Sequence, residues 1–345
     1  MIASPYLLYL GHVNDEVGIK TSRGLAVFRP DECVGEFRHD DCELTLGLPR
    51  MGFAEAVAAG AKTLVLGIAN AGGKMGDDLV RDALAAIEAG LDIASGLHNR
   101  LRDEPALVAA AARHGRQLHD VRDPRPDIPI GNGKPRLGKR LLAVGTDCSV
   151  GKMYATLCLE KGMRARGMKA DFRATGQTGI LIAGSGVPLD AVIADFISGA
   201  IEQISPDRND DGWDLIEGQG SLFHPSFAGV STGLLHGAQP DALLLCHDPV
   251  RPHMRGLPHY PMPGLQETLA ANLQVARLTS PQVQAVGVAL NTSKLSPEEG
   301  LRLCAETSDL LGLPCTDPFA HGVDPIIDRI NTCFEPSSRE ATLSL

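Results

Sequence analysis

The sequence lacks several signatures, and each absence narrows what the chain can be. No apolar run approaches the roughly 18 residues needed to span a bilayer, and no basic stretch followed by a hydrophobic segment opens the chain. A cytoplasmic protein with no membrane association is therefore expected. The eight cysteines, at positions 33, 42, 148, 158, 246, 304, 315 and 333, show no C-x-x-C spacing. Reduced thiols, rather than a disulfide framework or a zinc ribbon, follow from that scatter. Basic residues are in deficit, 32 against 42 acidic, and the net charge of −10 argues against broad nucleic-acid binding. It leaves room for a local basic pocket and a small anionic ligand.

With 345 residues, 43% of them apolar and 21% charged, the chain can bury about two cores of ordinary size. Apolar runs alternate with helical periodicity from the start. Tyr6–Leu10, Lys62–Gly67, Leu91–Ser95 and Gln117–Val121 read as strands; Phe53–Ala59, Asp77–Ala89 and Pro105–Arg113 read as helices. Between Val13 and Leu48 the pattern is weak, and Lys20-Thr-Ser-Arg-Gly24 reads as a compact polar turn. Alternation of this kind implies parallel pairing, so residues 1–122 are expected to form a Rossmann-like domain. It has no G-x-G-x-x-G fingerprint, and NAD is not assigned to it. Residues 123–135, rich in proline and glycine, read as a linker.

A second α/β domain, residues 136–334, follows in the same style, and 335–345 read as a polar tail. Its strands are Lys139–Val144, Lys169–Ala174, Trp213–Ile216, Asp241–Cys246, Val283–Leu290 and Leu313–Thr316. Its helices are Tyr154–Arg166, Leu189–Gln203, Leu265–Leu278, one opened by the capping box Ser296-Pro-Glu-Glu299 and reaching Leu311, and Val323–Ile330. The fold class is α/β, with mostly parallel sheets.

The stretch Gly145-Thr-Asp-Cys-Ser-Val-Gly-Lys-Met153 lies between the first strand and helix of that domain. Strand, glycine-bearing turn and helix make a phosphate loop, in which successive N–H groups and the positive helix end converge on an anion. Gly145, Thr146, Cys148, Ser149, Val150, Gly151, Lys152 and Met153 are the candidate binding residues. Met153 occupies the place where a nucleotide hydrolase keeps Ser or Thr to ligate Mg²⁺. A thioether does that poorly, so the pattern promises phosphate binding more firmly than metal-assisted phosphoryl transfer.

In open α/β sheets ligands gather at the carboxyl ends of the strands. Polar loops recur at those ends: Thr175–Gly179 with Gln177 and Thr178, Glu217–Ser221, the basic loop His247–His259, and Asn291-Thr-Ser-Lys294. Glu217 and Asp147 are the carboxylates positioned for proton transfer. Arg173 and Arg251 suit an acidic substrate, and Ser221 and His224 could orient it. Solvated loops and a rigid surface crossover are the structural alternatives. Cys148 at a helix start could be a nucleophile, but no histidine lies near it in sequence.

The loop Gly145–Lys152, the Gln-Thr-Gly after the second strand and the Glu-Gly after the third resemble dethiobiotin synthetase at the superfamily level. Over nearly its whole length, from Lys20–Gly24 and Ile68-Ala-Asn-Ala-Gly-Gly73 through the Met-bearing loop to Glu217–Gly220, the chain is more similar to a two-domain family. That family was long catalogued as a domain of unknown function, and its named members are DgcN-type D-glutamate N-acetyltransferases. The resemblance implies acetyl transfer from acetyl-CoA, with the loop on CoA phosphates and no obligatory metal. It also places Glu217 and its neighbours beside the acceptor, without fixing a base. The chemistry of acetyl transfer makes Glu217 or Asp147 the candidate base, Ser221 or loop N–H groups the oxyanion donors, and Arg173 or Arg251 the partners of the glutamate carboxylates. An ATP-dependent kinase or ligase and a non-catalytic nucleotide sensor are the competing readings. A homo-oligomer acting on small molecules is expected.

Overall fold

The computed structural model describes residues 2–15, 18–68, 75–124 and 126–334. The expected turn at Ile68–Gly73, apart from Ile68, and the tail from Glu335 lie outside them. The chain divides into two compact units, Met1–Arg125 with Gly176–Ala191, and Pro126–Thr175 with Val192–Leu345.

The first unit begins with β1 (Tyr6–Gly11), α1 (Lys20–Phe28), β2 (Cys33–Arg38), α2 (Phe53–Ala58) and β3 (Thr63–Leu66). It continues through α3 (Asp77–Ala89), β4 (Asp92–Ser95), α4 (Pro105–His114) and β5 (Leu118–Asp120). All pairings are parallel, in the order β2-β1-β3-β4-β5, that of a flavodoxin-like doubly wound sheet. Leu7, Leu64, Leu66 and Ile93 from the strands meet Leu79, Ala83, Ile87 and Leu107 from the helices in one buried cluster.

Two expectations change in this unit. Lys20–Gly24 is the first turn of α1, whose buried face is Thr21, Ser22, Gly24 and Leu25, too small and polar to register as a helical stripe. The weak region also holds β2, where Glu36 is fully buried. Its carboxylate is satisfied by Thr45 Oγ1 at 2.8 Å, the Leu46 N–H at 2.6 Å and Arg38 Nε at 3.0 Å, so it can occupy an interior strand position.

The second unit opens with β6 (Lys139–Gly145), α5 (Lys152–Ala165) and β7 (Ala170–Arg173). The chain then lends α6 (Gln177–Ala183) to the first unit, where Thr178 Oγ1 meets Thr21 Oγ1 at 2.7 Å and Gln177 packs on Gly96. It returns for α7 (Ile197–Ile204), β8 (Trp213–Ile216), α8 (Ala228–Ala238), β9 (Ala242–His247) and α9 (Leu265–Ala276). The last elements are β10 (Gln284–Leu290), α10 (Pro297–Leu311), β11 (Cys315–Thr316) and α11 (Asp324–Phe334). The sheet is again parallel throughout, ordered β11-β10-β9-β6-β8-β7. No helix among the described residues is long and apolar enough to cross a membrane.

The helix expected over Leu189–Gln203 is instead two 3-10 turns, Leu189–Ala191 and Ala194–Phe196, followed by α7. The division between the units falls after Ala191, inside the stretch a single helix would have made rigid. Helix α8 was not expected at all. Its Gly233 and Gly237 let Ile197 and Ser198 of α7 approach so closely that a Cβ would stand 2.8 Å and 2.6 Å from them. Residues of the proline- and glycine-rich stretch pack on the second unit: the Asn132 and Gly133 N–H groups donate to the Glu202 carboxylate at 3.0 and 2.9 Å.

Candidate functional site

In the second unit β6 lies centrally, flanked by β8 and β9, and the chain runs outward from it to both sides. That makes its carboxyl end the switch point where an open parallel sheet admits a ligand. The turn from β6 to α5 occupies this place. Gly145 has no room for a side chain, since a Cβ would lie 2.8 Å from Val150 Cγ2 and 3.2 Å from Cys246 O. Gly151 has φ +100° and Ser149 +53°, left-handed conformations that curl the backbone and turn its N–H groups inward. Among the described residues no acceptor is paired with the N–H groups of Ser149, Val150, Gly151, Lys152 or Met153. Such a row of donors, at the positive end of a 14-residue helix, is a cradle for an anion.

Lys152 lies inside the loop. Its Nζ donates to Asp147 O at 2.7 Å and Gly220 O at 2.8 Å, and burial pushes its pKa below the ordinary lysine value. Glu217, at the end of β8, is among the carboxylates whose charge favours the Lys152 ammonium. The Glu217 carboxylate is itself buried, accepts the Thr175 N–H at 2.8 Å, and its carbonyl accepts Thr175 Oγ1 at 2.7 Å. The next residue, Gly218, passes so near β6 that a Cβ would stand 1.7 Å from Ala143 O.

Asp147 is fully buried and engaged at both oxygens. Oδ1 accepts the Cys148 N–H at 2.6 Å; Oδ2 accepts Arg251 Nη1 at 2.8 Å and the Arg255 N–H at 2.7 Å. Arg251 further donates to Cys148 O at 2.7 Å and Ser149 O at 2.8 Å. The basic loop is thus a strap fastened to the phosphate loop. Ser221 Oγ donates to Thr146 O at 2.9 Å, and Thr146 Oγ1 lies 2.9 Å from Nδ1 of His247, whose pKa burial lowers. These contacts hold the loop in shape.

His224, distant in sequence, comes beside the loop: its ring nitrogen, Cys148 Sγ and an Asp147 oxygen lie within 4.8 Å of one another. The trio is a poor metal site, because Asp147 is saturated and His224 Nδ1 accepts the Ser226 N–H at 3.2 Å. Burial also pushes the Cys148 thiol up from its usual value, away from the reactive thiolate. A Mg²⁺ of the kind phosphate loops commonly use is likewise ill served by these donors, with Met153 in the hydroxyl's place and Asp147 paired to arginine.

The remaining candidates have other partners. Arg173 is paired with buried Asp214, at 2.9 Å from Nε and 2.8 Å from Nη2, in a cluster that includes Arg208 and Asp171. Gln177 and Thr178 belong to the first unit. Arg255, one of the two arginines of the basic loop, has its backbone on Asp147 and its guanidinium on the Ser149 hydroxyl. Only its place in the basic loop signalled it.

A parallel sheet with this loop at its switch point defines a P-loop domain, here in one chain with a Rossmann-like domain. The chain belongs to the DUF1611 family: residues 129–327 match its P-loop domain of unknown function and residues 32–124 its Rossmann-like domain. It is 53% identical over 330 residues to a D-glutamate N-acetyltransferase of Tritonibacter scottomollicae, covering 96% of this chain and 99% of that one. A D-glutamate N-acetyltransferase of a Pseudoalteromonas species is 51% identical over 329 residues, covering 95% and 99%. The crystal structure of a DUF1611 family protein from Anabaena variabilis superposes with a TM-score of 0.85 at 32% identity, covering 96% of this chain and all of that one. The family and fold expected from the sequence are both borne out.

Proposed function

We propose that this protein transfers the acetyl group of acetyl-CoA to the amine of D-glutamate, giving N-acetyl-D-glutamate and free CoA. The observation that carries the reading is the loop's row of unpaired N–H groups beside Lys152, with Met153 where a metal-ligating hydroxyl would stand. CoA brings a diphosphate that needs binding and no hydrolysis. The relatives named D-glutamate N-acetyltransferase, at half identity over nearly full length, support the acetyl group and the acceptor. In the reaction the neutral amine attacks the thioester carbonyl, the C–S bond breaks, sulfur leaves as the CoA thiol, and the amine gives up its proton.

The loop serves this chemistry through binding. Phosphate anchoring far along the CoA arm supplies energy that holds the thioester where the amine can reach it. Asp147 and Arg251 act as positioning residues for the loop, since their polar atoms are engaged with each other and with its backbone. Glu217 balances the Lys152 charge rather than taking the amine proton. The kinase or ligase reading needs a metal bridging two phosphates, and the donors around Met153 do not suit one. Incubating the purified protein with acetyl-CoA and D-glutamate and identifying the product by chiral chromatography and mass tests the proposal. N-acetyl-D-glutamate is expected; no acetylated amino acid from either glutamate enantiomer would refute it.

A further inference from the structure

Two arginines of the same strap meet the phosphate loop in opposite ways. Arg251 turns its guanidinium inward, onto Asp147, Cys148 O, Ser149 O and Asp248, and its side chain is 18% exposed. Arg255 is fixed by its backbone: its N–H donates to Asp147 Oδ2 at 2.7 Å, and its carbonyl faces His224 Nε2 at 3.5 Å. Both anchoring side chains are buried. The Arg255 side chain is exposed at the loop's mouth, where Nη1 meets the Ser149 hydroxyl. Among the described residues no carboxylate is paired with it. A cation so placed, with a rigid backbone and an unneutralised planar fork, suits a phosphoryl group bidentately.

We propose that Arg255 binds the second phosphoryl group of a diphosphate whose first group rests on the N–H groups of Ser149 to Met153. The guanidinium then bridges the charge of two phosphates as a metal ion does in loops that carry Ser or Thr at the position of Met153. The ligand class is a diphosphate ester, bound without metal in preference to a monophosphate. This inference rests on the reading of the loop as the CoA diphosphate site, and it adds the residue that distinguishes diphosphate from monophosphate.

The test is calorimetric titration of CoA, ADP and AMP into the wild-type protein, Arg255→Gln and Arg255→Lys, in EDTA at low salt, where an exposed cation is least screened. In the wild type CoA and ADP bind more tightly than AMP, and added Mg²⁺ leaves CoA affinity unchanged. Arg255→Gln weakens CoA and ADP by roughly ten- to a hundredfold, the range of a charge-assisted bond, and changes AMP less than threefold. Arg255→Lys, which keeps the charge, recovers at least half of that loss on a logarithmic scale. Unchanged CoA and ADP affinity in Arg255→Gln, an equal loss for AMP, no recovery in Arg255→Lys, or a tenfold tightening of wild-type CoA binding by Mg²⁺ would each overturn the proposal. Acetyl transfer is measured on the same wild-type preparation. Arg255-dependent diphosphate binding without acetylation would sink the functional reading alone, and acetylation with Arg255-independent binding would sink this inference alone.

Discussion

Replacing Asp147 with Asn keeps the shape of the side chain and removes its charge. In the native protein Asp147 is wholly buried, and its two oxygens accept the Cys148 N–H, the Arg255 N–H and a guanidinium N–H of Arg251. The variant removes the nearer of the two buried counter-charges of Arg251, leaving Asp248 at 3.4 Å, and turns one amide nitrogen toward donors that already fill the space. Breaking a buried ion pair from one side costs about 3 to 5 kcal/mol. Arg251 keeps 18% of its side-chain surface, which puts this case near the lower limit, about 3 kcal/mol. For a unit of this size that is a fall of about 6 to 12 °C in unfolding midpoint. Scanning calorimetry reads the fall, and titration with CoA should show weakened binding, because the strap no longer holds the loop. An unchanged midpoint and unchanged CoA affinity, together with a loss of turnover of a thousandfold or more, would refute the positioning role and make Asp147 a proton-transfer residue.

Gly218→Ala would set a Cβ 1.7 Å from Ala143 O, which neither backbone can accommodate without moving, and a destabilisation of about 3 kcal/mol is expected on the overpacking scale; denaturant unfolding measures it. Because burial lowers the Lys152 pKa in the free protein and a bound phosphate would raise it again, CoA affinity is full below the free-protein pKa. It declines as pH rises through that value, beginning below the ordinary lysine pKa of about 10.4. In Lys152→Met, titrated over the same pH range, that dependence should vanish along with most of the affinity.

Much of the fold was legible because many elements carry their own signal. Helix α3 has aspartates in its first turn and an apolar face of Leu79, Ala83, Ala86 and Ile87, and both its ends were read from sequence. The Ser296 box behaves as its spacing predicts, with Ser296 Oγ accepting the Glu299 N–H at 3.3 Å. What escaped were elements stabilised by partners remote in sequence. Helix α8 contains glycines that oppose a helix locally, and only close packing on α7 explains them. Strand β2 escaped for a different reason: its buried Glu36 is satisfied by Arg38, Thr45 and Leu46 from the same stretch, which carries no periodic apolar signal.

The candidate site divides in the same way. The loop follows from glycine, lysine and flanking elements, all contiguous. The partners of its side chains do not: Asp147 and Arg251 are 104 positions apart, and each resembled a free functional group until the other was seen beside it. His224 near Cys148 shows the converse, a proximity that sequence distance concealed.

The central claim is that acetyl-CoA and D-glutamate react on this protein without a metal ion. The most direct measurement is the initial rate of free-thiol release from acetyl-CoA in excess EDTA, with D-glutamate, with L-glutamate and with no acceptor. The account predicts release that depends on D-glutamate and is the same when Mg²⁺ replaces EDTA. No D-glutamate-dependent thiol in either condition, with ADP formed from ATP and Mg²⁺, would contradict it and return the loop to phosphoryl transfer.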